Sequence, residues 1–221
     1  MQIRTESFQP YDHLDPHLAF CRFDAGTHVA LSANRNPHAA WHDVPTATRS
    51  FALLFWDSEV PTRPDDVNQE GREVPLDLPR GDFFHWVATD LPADLREIPE
   101  GSHSAGVVAR GKAPGPTPHG GLQGKNDYTG WFAGHPEMEG TYAGYDGPCP
   151  PWNDSRVHAY HLAVYALDVA SLGLRGAFSG QDVRAAMAGH ILASASQVGL
   201  YTLNPRLGTR TAKQLATAWL G

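Results

Sequence analysis

The sequence predicts a mainly β fold in a single domain spanning residues 1–221. Three observations carry that reading. The chain holds 22 glycines and 18 prolines, which favours strands and turns over a helical bundle. Residues 51–57, Phe-Ala-Leu-Leu-Phe-Trp-Asp, are an apolar run with the length and composition of a buried strand. Residues 158–167 alternate with the two-residue period of a strand, and the segment feeding them, Gly147-Pro148-Cys149-Pro150-Pro151, is too rich in proline for a helix or a sheet interior.

Taken in order, Cys21 to Gly26 reads as a strand end and turn, and His28 to Leu31 as a second strand. His13 with His17, and His38 with His42, have the spacing of helical metal pairs. Pro16 breaks the first helix and no Cys or Glu completes either ligand set, so solvated histidines are expected. In the apolar run, alternation puts Phe51, Leu53, Phe55 and Asp57 on one side. A carboxylate closing such a run needs partners, or else caps the following turn, Ser58 to Pro61. Residues 62–82 read as a surface insertion. Phe83 to Thr89 is the next strand, with His85, Val87 and Thr89 on one face and Phe84, Trp86 and Ala88 on the other.

Residues 101–144 lack a sustained period and read as a second insertion, mostly loop, in which Asn126-Asp127-Tyr128 and Trp131-Phe132 are candidates to line a pocket mouth. Past the proline turn, alternation places His158, Tyr160, Leu162 and Val164 on one face and Ala159, His161, Ala163 and Tyr165 on the other. Val183, Met187, Ile191 and Val198 then suggest a helix over 179–199, ended by Gly199. A last helix over 209–220, capped by Thr209, carries Ala212, Leu215, Ala216 and Trp219 on one side.

Composition narrows the function. A formal charge of −7 argues against sequence-independent nucleic-acid binding and against adhesion to anionic membranes. No apolar run reaches the roughly 18 residues of a transmembrane helix, and Met1 to Ser7 lacks a signal peptide's apolar core. With only Cys21 and Cys149 present, no disulfide framework is implied and a cytoplasmic location is expected. Ser102-His103-Ser104-Ala105-Gly106 falls one glycine short of a nucleophile elbow, and Gly124-Lys125-Asn126 lacks the upstream glycine and the Ser/Thr of a P-loop. No catalytic residue, metal or cofactor is therefore assigned.

Three ordered motifs resemble the phosphatidylethanolamine-binding, or Raf-kinase-inhibitor-like, family in its bacterial form. They are Phe51 to Pro61 with His85-Trp86-Val87; the Gly147–Pro151 turn followed by His158-Ala159-Tyr160 and Tyr165-Ala166-Leu167-Asp168; and Ala188 to Ser196. The resemblance implies a Greek-key β-sandwich with peripheral helices and a C-terminal helix. It also implies a pocket formed by Asp57, His85, His158 and Tyr160, with Pro61 and the turn residues Gly147, Pro148 and Pro150 shaping its walls. Two imidazoles, a phenol and turn amides suit the oxygens of phosphate, a phosphoryl headgroup or a carboxylate, with Asp57 orienting a histidine. The implied partner is a small anion or phospholipid headgroup, in a ligand-responsive regulator. The alternatives are a kinase or protease inhibitor and a His/Asp acid–base enzyme, and the resemblance also allows a homodimer. No Lys or Arg falls on the pocket face of these motifs, so acetate affinity is expected to decline from pH ~5.5 to ~8.5, with His158 as a contributor and Asp57 raising the midpoint. Ala159, Ser58 and Glu59 depart from the family's Arg, Pro and Asp.

Overall fold

The computed structural model describes residues 1–208, so the helix expected over 209–220 lies outside the described residues. The strands are β1 (Gln2–Arg4), β2 (Cys21–Asp24), β3 (His28–Leu31), β4 (Ala39–His42), β5 (Ser50–Pro61), β6 (Arg80–Pro92), β7 (Glu97–Ile98), β8 (Gly111–Lys112), β9 (Gly115–Pro116), β10 (Leu122–Gln123), β11 (Thr141–Tyr142), β12 (His158–Leu167) and β13 (Ile191–Tyr201). Two short helices, α1 (Tyr128–Trp131) and α2 (Gly180–Ala186), interrupt them. A six-stranded sheet runs β13-β12-β5-β6-β10-β9, and β1-β4-β7 form a three-stranded sheet. The chain is mainly β. Among the described residues, no helix is long and apolar enough to cross a membrane.

The two-residue period of β5 sorts its side chains between two cores. Phe51, Leu53 and Phe55 join Leu162 and Val164 of β12 and Trp41 of β4 in the larger one. Ala52 and Leu54 turn to the other face, where Val183 of α2 and Met187, just past its end, join them in the smaller core. Trp41 meets Phe51 edge-on at 5.3 Å, which joins the smaller sheet to the main one. Burying such aromatic and aliphatic side chains contributes about 1.5–3 kcal/mol each.

Strand β6 does not keep the expected alternation. Phe55 pairs with Trp86, but the next residue, Trp56, pairs with Phe84, leaving His85 as the extra residue of a β-bulge. Phe84 consequently packs in the smaller core and Trp86 in the larger one, instead of sharing a face. The bulge turns His85 to the side that carries Tyr160, against which its ring packs at 5.4 Å.

The helix expected over 179–199 is also corrected. Ser179 and Asp182 form a capping box that starts α2, but the helix ends at Ala186 and Gly189 takes a positive φ of 84°. Residues 191–201 then pair with β12 from His158↔Tyr201 to Leu167↔Ile191. Backbone pairing along ten residues of β12 outweighs a helical period that only Val183 and Met187 realise.

Cys21 and Cys149 are joined in a disulfide with Cα atoms 4.9 Å apart across 128 residues of sequence, contrary to the expectation from cysteine number. The close approach is built by the backbone: the N–H groups of Phe20 and Cys21 both donate to the Pro148 carbonyl. His38 is likewise not solvated. It is buried, accepts the Glu6 N–H at Nδ1 and lies 3.1 Å from Glu97 at Nε2. The 62–82 segment is tied down by Asn153, whose amide donates to the carbonyls of Asp66, Gln69 and Arg72.

Candidate functional site

Strands β5 and β12 pair with Asp57 opposite Tyr160, which sets the carboxylate beside the phenol at the same end of the sheet. His158 lies two residues back on the same face of β12, and the bulge in β6 adds His85. These four residues line a cavity of about 260 Å³, at the small end for a ligand pocket. Pro61 and Pro150 line it too, while Gly147 and Pro148 do not; Cys149 and Pro151 stand there instead.

Gly147 and Pro148 act behind the wall. The Gly147 N–H donates to Asn34, its carbonyl accepts from the Tyr128 hydroxyl, and the Pro148 carbonyl accepts the amides of Phe20 and Cys21. A Cβ on Gly147 would lie 2.1 Å from the Leu18 carbonyl oxygen, so the close approach requires glycine.

His158 is not a donor to the cavity. Its Nδ1 lies 2.6 Å from Asp57 and its Nε2 3.0 Å from Asp154, and the residue is fully buried. Asp154 is held in turn by a two-pronged pair with Arg80, at 2.6 and 3.0 Å. Arg80 spends its remaining donors on the carbonyls of Leu78, Glu59 and Pro75. Asp57 uses its second oxygen to accept the Glu59 N–H at 2.7 Å, so it both pairs a histidine and holds the irregular end of β5, which continues as strand to Pro61 where a turn was expected. The Glu59 side chain pairs with Arg156 at 2.7 Å. Two carboxylates thus face one imidazolium and one guanidinium, with no charge left over.

The two histidines are driven in opposite directions. Burial alone would lower the His158 pKa, but the charges of Asp57 and Asp154 outweigh it and raise it to about 9. Asp57 is held below the usual carboxylate range, the His158 charge and hydrogen bond overcoming the upward push of burial. His85 is lowered, because burial exceeds the opposing pull of Asp57 and of the Asp146 carbonyl. That carbonyl lies 2.8 Å from His85 Nδ1 and can only accept, so Nδ1 carries the proton. No hydrogen bond engages His85 Nε2 within the described residues. Asp146 itself is anchored by the side chains of Asn34, Asn126 and Lys112 at 2.8–2.9 Å.

Tyr160 completes the site. It is fully buried, its hydroxyl lies beside the Asp57 carboxylate but meets no partner in hydrogen-bond geometry among the described residues, and burial above all, with the Asp57 charge, raises its pKa well above the normal phenol value. Of the residues suggested for the mouth, Tyr128 and Trp131 line the cavity, whereas Phe132 packs behind them. Sequence reasoning passed over Asp154 and Arg80. The i, i+4 spacing of Asp154 to His158 was a visible signal; Arg80 had none.

The sign of the pH dependence follows from these shifts. Stability from charged His158 is complete below its unfolded value of ~6.5 and is lost as pH rises through about 9. A shift of that size corresponds to ~3 kcal/mol. His85, lowered, works in reverse and contributes fully only above ~6.5, and lowered Asp57 and Asp154 lose their contributions as pH falls below the carboxylate range. Melting temperature should therefore fall between pH ~7 and ~9.5, and His158→Gln should flatten that fall. A level profile in the parent protein would show that His158 is not charged in the fold.

A mainly β domain with a polar-floored pocket at the end of its main sheet is the class of protein defined by this geometry. Residues 5–202 match the phosphatidylethanolamine-binding protein family, and the chain belongs to it. A UPF0098 protein of Aquifex aeolicus is 36% identical over 169 residues, covering 75% of this chain and 73% of that protein. The UPF0098 protein YbhB of Escherichia coli is 32% identical, over 76% of this chain and 82% of its own. Among solved structures, E. coli YbcL, described as a member of the mammalian PEBP family, superposes with a TM-score of 0.63 at 23% identity, covering 91% of this chain and 97% of its own. That likeness supports the fold alone.

Proposed function

We propose that the pocket binds the acid group of a small ligand, a phosphate, phosphoryl monoester or carboxylate. The observation that carries this reading is the Tyr160 hydroxyl, fully buried on the cavity wall, with the Asp57 carboxylate beside it but no partner in hydrogen-bond geometry among the described residues. Such a group normally finds an acceptor, since an unpaired one costs about 1–3 kcal/mol. His85 Nε2 is the second recognition atom. As a neutral acceptor it takes a proton from a protonated acid, and as imidazolium it donates to the anion. In both cases the acid binds together with one proton. His158 contributes by fixing Asp57, not by touching the ligand. On family membership we assign the strand connectivity to the Greek-key sandwich that the resemblance implies. For location, the disulfide favours an oxidising compartment and weighs against a cytoplasmic one.

Calorimetric titration with phosphate and acetate tests the function. Acetate affinity should fall about tenfold per pH unit between pH ~6.5 and ~8.5, one proton being taken up per anion bound. His85→Gln should remove that dependence, and Tyr160→Phe should weaken binding about 10–100-fold through the lost charge-assisted hydrogen bond. Absence of binding by either anion would end the proposal. This replaces the expectation that Asp57 raises the midpoint and that His158 contributes to the slope. Asp57 raises His158, whose charge is locked through neutrality, whereas burial lowers the histidine that faces the ligand.

A further inference from the structure

The lining of the pocket falls into two chemistries. Besides the polar cluster of Asp57, His85, His158 and Tyr160 and the amide of Asn68, it is formed largely by apolar side chains, among them Pro61, Pro150, Pro151, Val67 and the half-exposed indole of Trp131. No lining carboxylate other than Asp57 is present among the described residues, and both Asp57 oxygens are already engaged, one by His158 and one by the Glu59 amide. An ammonium group held two carbons from a bound phosphate would therefore reach proline rings and an indole face, with no carboxylate available to pair it. Leaving such a cation partly desolvated and unpaired is costly. A flat apolar ring placed there instead would bury area against rigid surfaces and stack on Trp131.

We propose that this pocket takes an acid carried on a flat apolar ring, of the class of aryl phosphate monoesters and aromatic carboxylates, in preference to the aminoethyl phosphate headgroup of a phospholipid. The inference rests on the acid-binding reading above and deepens it: the polar cluster recognises the acid and the apolar lining selects its substituent. Proline supplies rigidity, because its ring fixes the local backbone, and Pro150 and Pro151 are further held by the Cys149 disulfide between Pro148 and themselves. Trp131, the last residue of α1, donates its N–H to the Asp127 carbonyl, and Tyr128 at the start of that helix is anchored through its hydroxyl on the Gly147 carbonyl.

Inorganic phosphate, phenyl phosphate and phosphoethanolamine, titrated in turn at pH 7 by calorimetry, separate the possibilities because the acid group is held constant. Phenyl phosphate should bind at least tenfold more tightly than phosphoethanolamine, and Trp131→Ala should cut that ratio at least threefold. Trp131 is exposed on the surface, so the variant keeps the core intact; circular dichroism of the variant checks this. Phosphoethanolamine binding as tightly as phenyl phosphate, whether through a cation–π contact to Trp131 or otherwise, would overturn the ring preference while leaving acid recognition standing. A ratio unmoved by Trp131→Ala would also overturn it. Binding of none of the three would remove the acid-binding reading together with this one.

Discussion

His158→Ala should lower the unfolding free energy by about 3–5 kcal/mol, measured by urea denaturation at pH 7. The substitution removes a cation that lies 2.6 Å from Asp57 and 3.0 Å from Asp154 in a fully buried position. Asp154 retains Arg80, but Asp57 is left with no ion-pair partner among the described residues, keeping the Glu59 amide and the nearby Tyr160 hydroxyl. A carboxylate left in that state must either stay charged at high cost or take up a proton. Asp57→Asn in the His158→Ala background should therefore recover part of the loss, because it removes the uncompensated charge. Equal destabilisation by single and double variants would mean that packing, and not the ion pair, is what His158 supplies. The variant bears on function through Asp57, whose second oxygen holds the irregular end of β5.

Breaking the disulfide should cost about 4 kcal/mol, because the bond closes a long loop in the unfolded chain as well as tying β2 to the proline turn. Cys149→Ser should show this in the denaturation midpoint, and reduction of the parent protein should reproduce it. Both should also weaken phosphate binding, since Cys149 lies on the cavity wall between Pro148 and Pro150. Titration of the native protein with a thiol reagent should find no reactive cysteine. Two reactive thiols in protein prepared under oxidising conditions would refute the pairing.

Much of the scaffold was legible because strand alternation is a local property. The sorting of Phe51 to Phe55 into one core, with Ala52 and Leu54 in the other, follows from the period of two and needs no knowledge of partners. The same holds for His158 and Tyr160 sharing a buried face of β12. The proline turn was equally plain, since its rigidity is covalent. Family motifs added His85 and Asp57 to the pocket before any geometry was available.

Other features depended on contacts distant in sequence. The bulge at His85 arises from how β6 registers on β5, and no period within β6 announces it. Residues 191–201 carry a pattern weak enough to suit a helix, and the free edge of β12 settles them as a strand. The cysteine pair lies 128 residues apart, so it is contacts distant in sequence, among them the backbone bonds to Pro148, that bring the sulfurs together. Arg80 reaches Asp154 across 74 residues and helps to hold it as a carboxylate, and Asp154 with Asp57 keeps His158 charged through neutrality, which leaves His85 as the histidine free to meet a ligand. Residue identity was enough to name the groups at the pocket. Their division into a locked ion pair and an open recognition pair was decided by burial and by which partners the fold brought within hydrogen-bond reach, since charge in a dry interior is set by the neighbours it can find.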